Sequence, residues 1–247
     1  MCNLYSMTSN IQAIRDLVSE IKSWDDVGNM LPQPGIFPDY AAPIIRREGE
    51  HTVLTTARWG MPGSSFVLFK NAQKRAQSIE KKEDREVGKE EFDELLKNEP
   101  DKGVTNVRNT SSKHWKRWLG PQNRCLVPFN SFAEFNKSKG GNVWFAQNEQ
   151  RPLAFFAGIW VGEWTSVRKV KEGQVTADFY AFLTTEPNKE VGEVHPKAMP
   201  VILTNENERE TWLNAPWEEA QELQRPLEDG SLEVVAVGAR RDPAAKS

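Results

Sequence analysis

Cys2 stands directly behind the initiator methionine, and cysteine is small enough to permit removal of Met1. A mature chain beginning at Cys2 presents two nucleophiles on adjacent carbons, an α-amine and a thiol. Their ordinary pKa values are about 7.7–8.0 and about 8.5, so a modest shift makes either reactive at neutral pH. Together they can condense with an aldehyde to an imine and then close a five-membered thiazolidine ring, which no internal residue can do. An isolated cysteine at position two would carry no such meaning. The reading depends on whether acid, base and orienting groups accompany it.

Such groups stand at the ends of apolar runs. Asn106-Val107-Arg108-Asn109-Thr110-Ser111 supplies an amide and a guanidinium, and the run from Arg124 and Cys125 through Ser131 and Phe132 ends on Glu134. Glu134 lies between Phe132 and Phe135, which favours burial of its carboxyl group. His195 precedes Pro196-Lys197-Ala198-Met199-Pro200, and an imidazole with a pKa near ~6.5 suits proton transfer at neutral pH. One further segment is basic and aromatic: Arg108, Lys113, His114, Trp115, Lys116, Arg117, Trp118 and Arg124, with no acidic residue across 104–127. Basic side chains can follow phosphates while indole rings stack on unpaired bases. The plainer reading is a helix whose tryptophans face the core, and local sequence favours it. Trp59 is open in the same way, as core packing or as a stacking wedge.

The composition bounds the remaining possibilities. A chain of 247 residues fits one domain, and 38% hydrophobic with 10% aromatic residues is enough for a buried core. Two cysteines, Cys2 and Cys125, make neither a disulfide framework nor a metal-site spacing and fit a reducing, intracellular setting. Cys125, inside an apolar run, reads as core. No apolar signal segment opens the chain, and no stretch approaches the roughly 20 apolar residues of a membrane span. The expectation is a cytoplasmic protein needing no metal or cofactor. A net charge of −3 leaves nucleic acid open, because binding depends on a local patch.

The positioning elements can be read coarsely. A capping-box-like Ser9-Asn10-Ile11-Gln12 starts a helix with Ile11, Ile14, Val18 and Ile21 on one face. Pro32, Pro34, Pro38 and Pro43 predict an extended, irregular segment. Strand-like runs occupy 52–57, 124–135, 153–160, 179–185, 199–203 and 232–237, with helical patterns at 206–213 and 217–223. Residues 79–102, dense in Lys, Glu and Asp, predict a solvated helical insertion. The sum is a single α+β domain over 1–247, built on a mainly antiparallel, barrel-like sheet with flanking helices.

These motifs, in this order, resemble the SOS-response-associated peptidase (SRAP) family, whose members crosslink to abasic sites in DNA. They are Cys2, Asn106-Val107-Arg108, Arg124-Cys125 leading to Glu134, and His195 before Met199-Pro200. Trp59-Gly60-Met61-Pro62, Phe156-Ala157-Gly158-Ile159-Trp160 and Thr184-Thr185-Glu186-Pro187-Asn188 add to the likeness. Asn3-Leu4 replaces the family's usual Gly-Arg, Lys197 stands in for an arginine, and Asn109 for a serine.

The resemblance implies that Cys2, Asn106, Glu134 and His195 are catalytic. Arg108, Trp59, Lys197, Lys113 and Arg117 are the candidates for DNA contact. The implied partner is single-stranded DNA with abasic sites, met by a monomer that is nucleoid-associated when bound. The implied product is a crosslink that shields the lesion in the DNA damage response, with lyase and self-processing peptidase activities beside it. Two other readings use the same residues: an N-terminal-nucleophile cysteine peptidase or amidohydrolase, and a non-catalytic single-strand binder. The binder leaves the acid, the base and the double nucleophile unexplained.

Overall fold

A short apolar strand, β1 (Tyr5–Met7), is followed by Asn10, whose side chain accepts a hydrogen bond from the Ala13 amide at 2.8 Å and so starts helix α1 (Ile11–Leu17). The cap is Asn10 itself rather than a box begun by Ser9. The computed structural model describes residues 2–18, 21–23, 27 and 30–246. Within them α1 is shorter than its apolar spacing predicts. The Val18 amide closes it on the Ile14 carbonyl, and Ile21 belongs to a strand, β2 (Ile21–Ser23). Pairing with a neighbouring strand there outweighs the helical period.

Four strands and three helices follow. β3 (Gln33–Ile36), β4 (Ala41–Glu48) and β5 (His51–Trp59) come first, and the proline-rich segment is more regular than expected: Pro34 lies in β3, and Pro43 lies in β4 in register with Thr56. Ser64 then caps α2 (Ser65–Glu83), which leads through Asp84 in a left-handed conformation to α3 (Lys89–Lys97). The charged stretch 79–102 thus takes in the end of α2 and all of α3. Phe69 meets Phe92 edge-on at 5.4 Å, and Arg85 bonds Glu83 and Glu91 at 2.7 Å each, which pins the two helices together. The short strand β6 (Asn106–Val107) and helix α4 (Lys113–Lys116) come next.

The run 124–135, expected as one strand, is two. β7 (Arg124–Phe129) and β8 (Ser131–Asn136) belong to different sheets. Asn130 turns the chain between them: its Oδ1 accepts from the Thr8 and Ser9 amides and its Nδ2 donates to the Arg151 carbonyl. β9 (Gly141–Ala146), absent from the sequence reading, pairs back on β8. The remaining elements are β10 (Ala154–Val167), β11 (Gln174–Thr185), α5 (Lys189–Gly192), β12 (Met199–Pro200), β13 (Ile202–Leu203), α6 (Glu206–Asn214), α7 (Trp217–Ala220) and β14 (Glu233–Val237).

β11, β10, β7, β4 and β5 form a closed barrel, completed where β11 runs parallel to β5 with Tyr180 beside Trp59. The second sheet has the order β14-β9-β8-β1-β3 and is antiparallel throughout. Tyr5 fastens one to the other. Its ring meets Trp59 and Phe156 of the barrel edge-on at 5.1 and 5.7 Å, and its hydroxyl bonds that of Tyr180. Cys125 is core, as expected, and faces Gly158 across β7 and β10; a Cβ at Gly158 would come within 2.7 Å of the Cys125 sulfur. The single-domain α+β barrel is therefore the observed fold. Among the described residues no helix is long and apolar enough to cross a membrane.

Candidate active site

Cys2 enters the site because β1 is trapped between β3 and β8. The Ala133 amide donates to the Leu4 carbonyl at 2.9 Å, which carries the strand pairing back along the N-terminal segment toward Cys2. Cys2 is buried, with 1% of its surface exposed. Its thiol donates to the Leu4 carbonyl at 3.4 Å, and burial, with the Glu134 charge adding to it, pushes the thiol pKa well above its ordinary value. The resting form is the thiol. Met1, whose removal the N-terminal chemistry requires, lies outside the described residues.

Asn106 arrives from the barrel side, on β6 against β11. Its Nδ2 donates to the Cys2 carbonyl at 2.7 Å and to the Thr105 hydroxyl at 2.8 Å, and that hydroxyl donates to Asn3 Oδ1 at 3.1 Å. Two adjacent residues of β6 and its approach thus hold two adjacent residues of the N-terminus. Asn106 Oδ1 is buried and has no hydrogen-bond partner among the described residues. It is an unused acceptor next to the residue whose amine is the candidate nucleophile.

Glu134 projects from β8 with 3% of its surface exposed, and burial pushes its pKa up to about 7. A carboxyl group at that value both gives and takes protons at neutral pH. His195 follows α5: its amide closes on the Val191 carbonyl at 2.7 Å, and Asn136 at the end of β8 donates to the Val194 carbonyl at 2.8 Å. The strand that carries Glu134 therefore also holds the loop that carries His195. His195 Nδ1 lies 3.9 Å from Glu134 Oε2. Burial lowers the imidazole pKa, and positive charge including that of Lys197 acts in the same direction, so His195 is neutral at pH 7. Glu134 and His195 line a cavity of about 310 Å³ together with Asn3, Phe37, Phe135 and Asn142.

The structure thus brings Cys2, Asn106, Glu134 and His195 together, and it joins two of the DNA-contact candidates as well. Arg108, 48% exposed, donates to the Lys197 carbonyl at 3.0 Å and to Glu186 at 3.2 Å. Lys113 and Arg117 are exposed on and just after α4. No hydrogen bond or ion pair among the described residues ties either of them to the Cys2 group. Trp115 and Trp118 are buried, which is the plainer of the two readings of that segment, and Arg117 lies over the Trp118 ring at 3.9 Å.

Trp59 is a correction. Its ring is fully buried, stacked on Phe182 at 5.2 Å and bonded through Nε1 to the Thr105 carbonyl, so it packs the core and has no face for a base.

Several site residues escaped sequence reading. Phe135 is 68% exposed beside the cavity; strand alternation, which places it opposite to Glu134, is the signal that could have found it. Phe37 and Asn142 reach the cavity from segments with no motif. Gln224 joins two motif segments by donating to the Arg108 and Thr184 carbonyls at 2.8 and 3.0 Å and accepting from Thr110 at 3.1 Å.

Comparison with known proteins bears on this arrangement. The profile of the family described as SOS response associated peptidase (SRAP) matches residues 97–240. No curated protein matches the chain. Among solved structures, a protein from Bacteroides thetaiotaomicron is 18% identical with a TM-score of 0.60, covering 94% of this chain and 90% of its own. A Bordetella bronchiseptica protein is 19% identical with a TM-score of 0.59, over 94% and 97% of the two chains. A phage-related protein from the same organism is 18% identical with a TM-score of 0.59, over 94% and 92%. At these identities the likeness is one of fold.

Proposed function

Because the chain belongs to the SRAP family, with the SOS-associated, DNA-related role that membership supports, we propose that it crosslinks to abasic sites in single-stranded DNA through Cys2 once Met1 is removed. The observation that carries the reading is the hydrogen bond from Asn106 to the Cys2 carbonyl at 2.7 Å, made beside Glu134 and His195. It holds the one residue that owns both an amine and a thiol where an acid and a base are already placed.

The chemistry follows from these groups. An abasic deoxyribose exists as a closed hemiacetal with a little ring-opened aldehyde. Glu134, protonated part of the time at neutral pH, donates to the ring oxygen as the ring opens, and neutral His195 takes the proton of the C1′ hydroxyl, which becomes the aldehyde. The neutral Cys2 amine adds to the aldehyde carbon, and Asn106 Oδ1 accepts one of its hydrogens without contributing a charge that would keep it protonated. His195 returns its proton to the oxyanion, Glu134 takes a proton from the ammonium and delivers it to the resulting hydroxyl as water departs, and the iminium loses its last proton to Glu134 to leave an imine. The thiol adds to the imine carbon, its proton passes to the nitrogen, and the thiazolidine closes. His195, neutral in this setting, exchanges protons with the sugar hydroxyl. Arg108 and Lys197 face solvent where a phosphate can meet them, and a guanidinium grips a phosphate with two donors.

The raised thiol pKa supports an order in which the amine attacks first. The peptidase reading asks the Cys2 thiolate to attack, and burial together with the Glu134 charge opposes that thiolate. The test is incubation of the protein lacking Met1 with a single-stranded oligonucleotide bearing one abasic site, followed by denaturing electrophoresis. A heat-stable adduct is expected, and Cys2→Ser, which keeps an amine but no thiol, is expected to leave at most a reducible imine. An undiminished heat-stable adduct in Cys2→Ser overturns the thiazolidine.

A further inference from the structure

A cavity of about 460 Å³ opens beyond Arg108, at the far end of the segment that begins with Asn106. Thr110 and Ser111 of that segment line it, with Lys116 of α4, Leu119 as an apolar floor and Trp217 of α7 as a wall. Building on the reading above, we propose that this cavity seats an unpaired nucleobase of the same DNA strand, flanking the abasic sugar.

The lining argues for a base rather than a phosphate. Trp217 is half-buried and held edge-on by Trp212 at 6.2 Å, and Trp212 is itself anchored through Nε1 to the Cys125 and Gly158 carbonyls at 3.0 Å each. The indole therefore waits in a set orientation, which keeps down the entropy lost when a ring stacks on it. The polar groups inside are mostly engaged: the Thr110 hydroxyl donates to Gln224 and the Ser111 hydroxyl to Asn109. One ammonium, Lys116, and one carboxylate, Glu218, are both among the lining residues, so the cavity carries no net charge to draw an anion. Lys113 and Arg117, on and just after the same helix, are exposed cations that a neighbouring phosphate can meet. The volume falls in the roughly 300–1,000 Å³ range of small-ligand sites. Continuity with Arg108 identifies the strand: a backbone gripped there reaches Thr110 and Ser111 next. On this proposal the basic segment 104–127 meets DNA through its exposed cations and a tryptophan from another element stacks on the base, while the segment's own tryptophans serve the core.

The test uses the full chain lacking Met1 and non-reacting oligonucleotides with a central tetrahydrofuran abasic analogue, which has no aldehyde. In two further oligonucleotides the bases on the 5′ or on the 3′ side are also replaced by the analogue, so that phosphates stay and bases go. Wild type is expected to bind one of these roughly 5- to 150-fold more weakly than the fully based strand, the range that base–aromatic stacking spans. Trp217→Leu should bind all three alike, with an unchanged salt slope. Trp217→Phe should restore the discrimination. Lys113→Ala, at an exposed position that does not line the cavity, should keep the discrimination and flatten the salt slope by about 0.7. Wild-type protein that binds the three strands equally, or a Trp217→Leu that still discriminates, overturns the base site and leaves the crosslinking reading standing. Failure of wild type to bind any single strand overturns both.

Discussion

The proposed reacting groups and the proposed gripping groups of this site are built on opposite terms. Cys2, Asn106 and Glu134 are buried where the small sheet meets the barrel, while Arg108, Lys197, Lys113 and Arg117 face solvent. Burial is what raises the Glu134 carboxyl and the Cys2 thiol and lowers His195. Exposure is what leaves the cations screened and individually weak, since a surface ion pair such as Arg108–Glu186 contributes about 0–1 kcal/mol. Changes in the first region should therefore alter rate and pH dependence, and changes in the second should alter affinity and salt dependence. The contrast can be tested from either side.

The largest effect belongs to Glu134→Gln, which keeps the shape and removes the titrating proton. Adduct formation should slow by about 10²–10⁴-fold, or by less where ring opening of the DNA limits the rate. Affinity for undamaged single strands should stay within about twofold of wild type. A strong loss of affinity would move Glu134 into the gripping half.

The same variant has a stability signature with a definite sign. The folded pKa of about 7 lies above the ordinary 4.5. Between those values the folded state holds more protons than the unfolded one, so this group's contribution is fully present at low pH and lost as pH rises through 7. Relative to wild type, Glu134→Gln should thus be more stable at pH 8 than at pH 5, by about 1–3 kcal/mol. Urea midpoints at the two pH values measure the difference, and a gap of the opposite sign contradicts a buried carboxyl.

His195→Ala should come next, slowing both formation and reversal of the adduct, because microscopic reversibility assigns it the same step in each direction. Slowing of one direction alone rules out that role. Arg108→Ala should weaken undamaged and abasic strands alike and flatten the dependence of log affinity on log salt by about 0.7. An unchanged slope would mark Arg108 as a clasp for the Lys197 loop and nothing more. The smallest effect is expected from Lys113→Ala, an exposed cation with no described tie to the Cys2 group. Its slope change should appear without any change in the rate of the bound complex, read from single-turnover time courses.

What was legible in the chain divides along the same line. The four proposed reacting residues were legible as chemical types, an amine with a thiol, a carboxyl group in an apolar run, an imidazole and an amide, but it was the family resemblance that singled out His195 and Asn106. The barrel strands 52–57, 153–160 and 179–185 showed as apolar runs because their buried faces demand them. β9 did not show, since Gly141 and Asn142 obscure its start, and the run 124–135 hid a change of sheet that only the hydrogen bonds of Asn130 reveal. Trp59 was undecidable because an indole packs a core and stacks on a base with the same ring.

The sequence by itself determined which groups could react, since that is a property of side-chain type, and most of the runs that bury the core, since apolar spacing follows the period of the element. Only the tertiary structure decided how those groups behave. The Glu134 pKa, the protonation of the Cys2 thiol and the placement of Asn106 against the Cys2 carbonyl arise where β8, β1 and β6 meet. Cys2 and Asn106, which meet there, are 104 residues apart in sequence. Desolvation and hydrogen-bond geometry depend on what surrounds a group in space, and a local stretch of sequence carries no record of that.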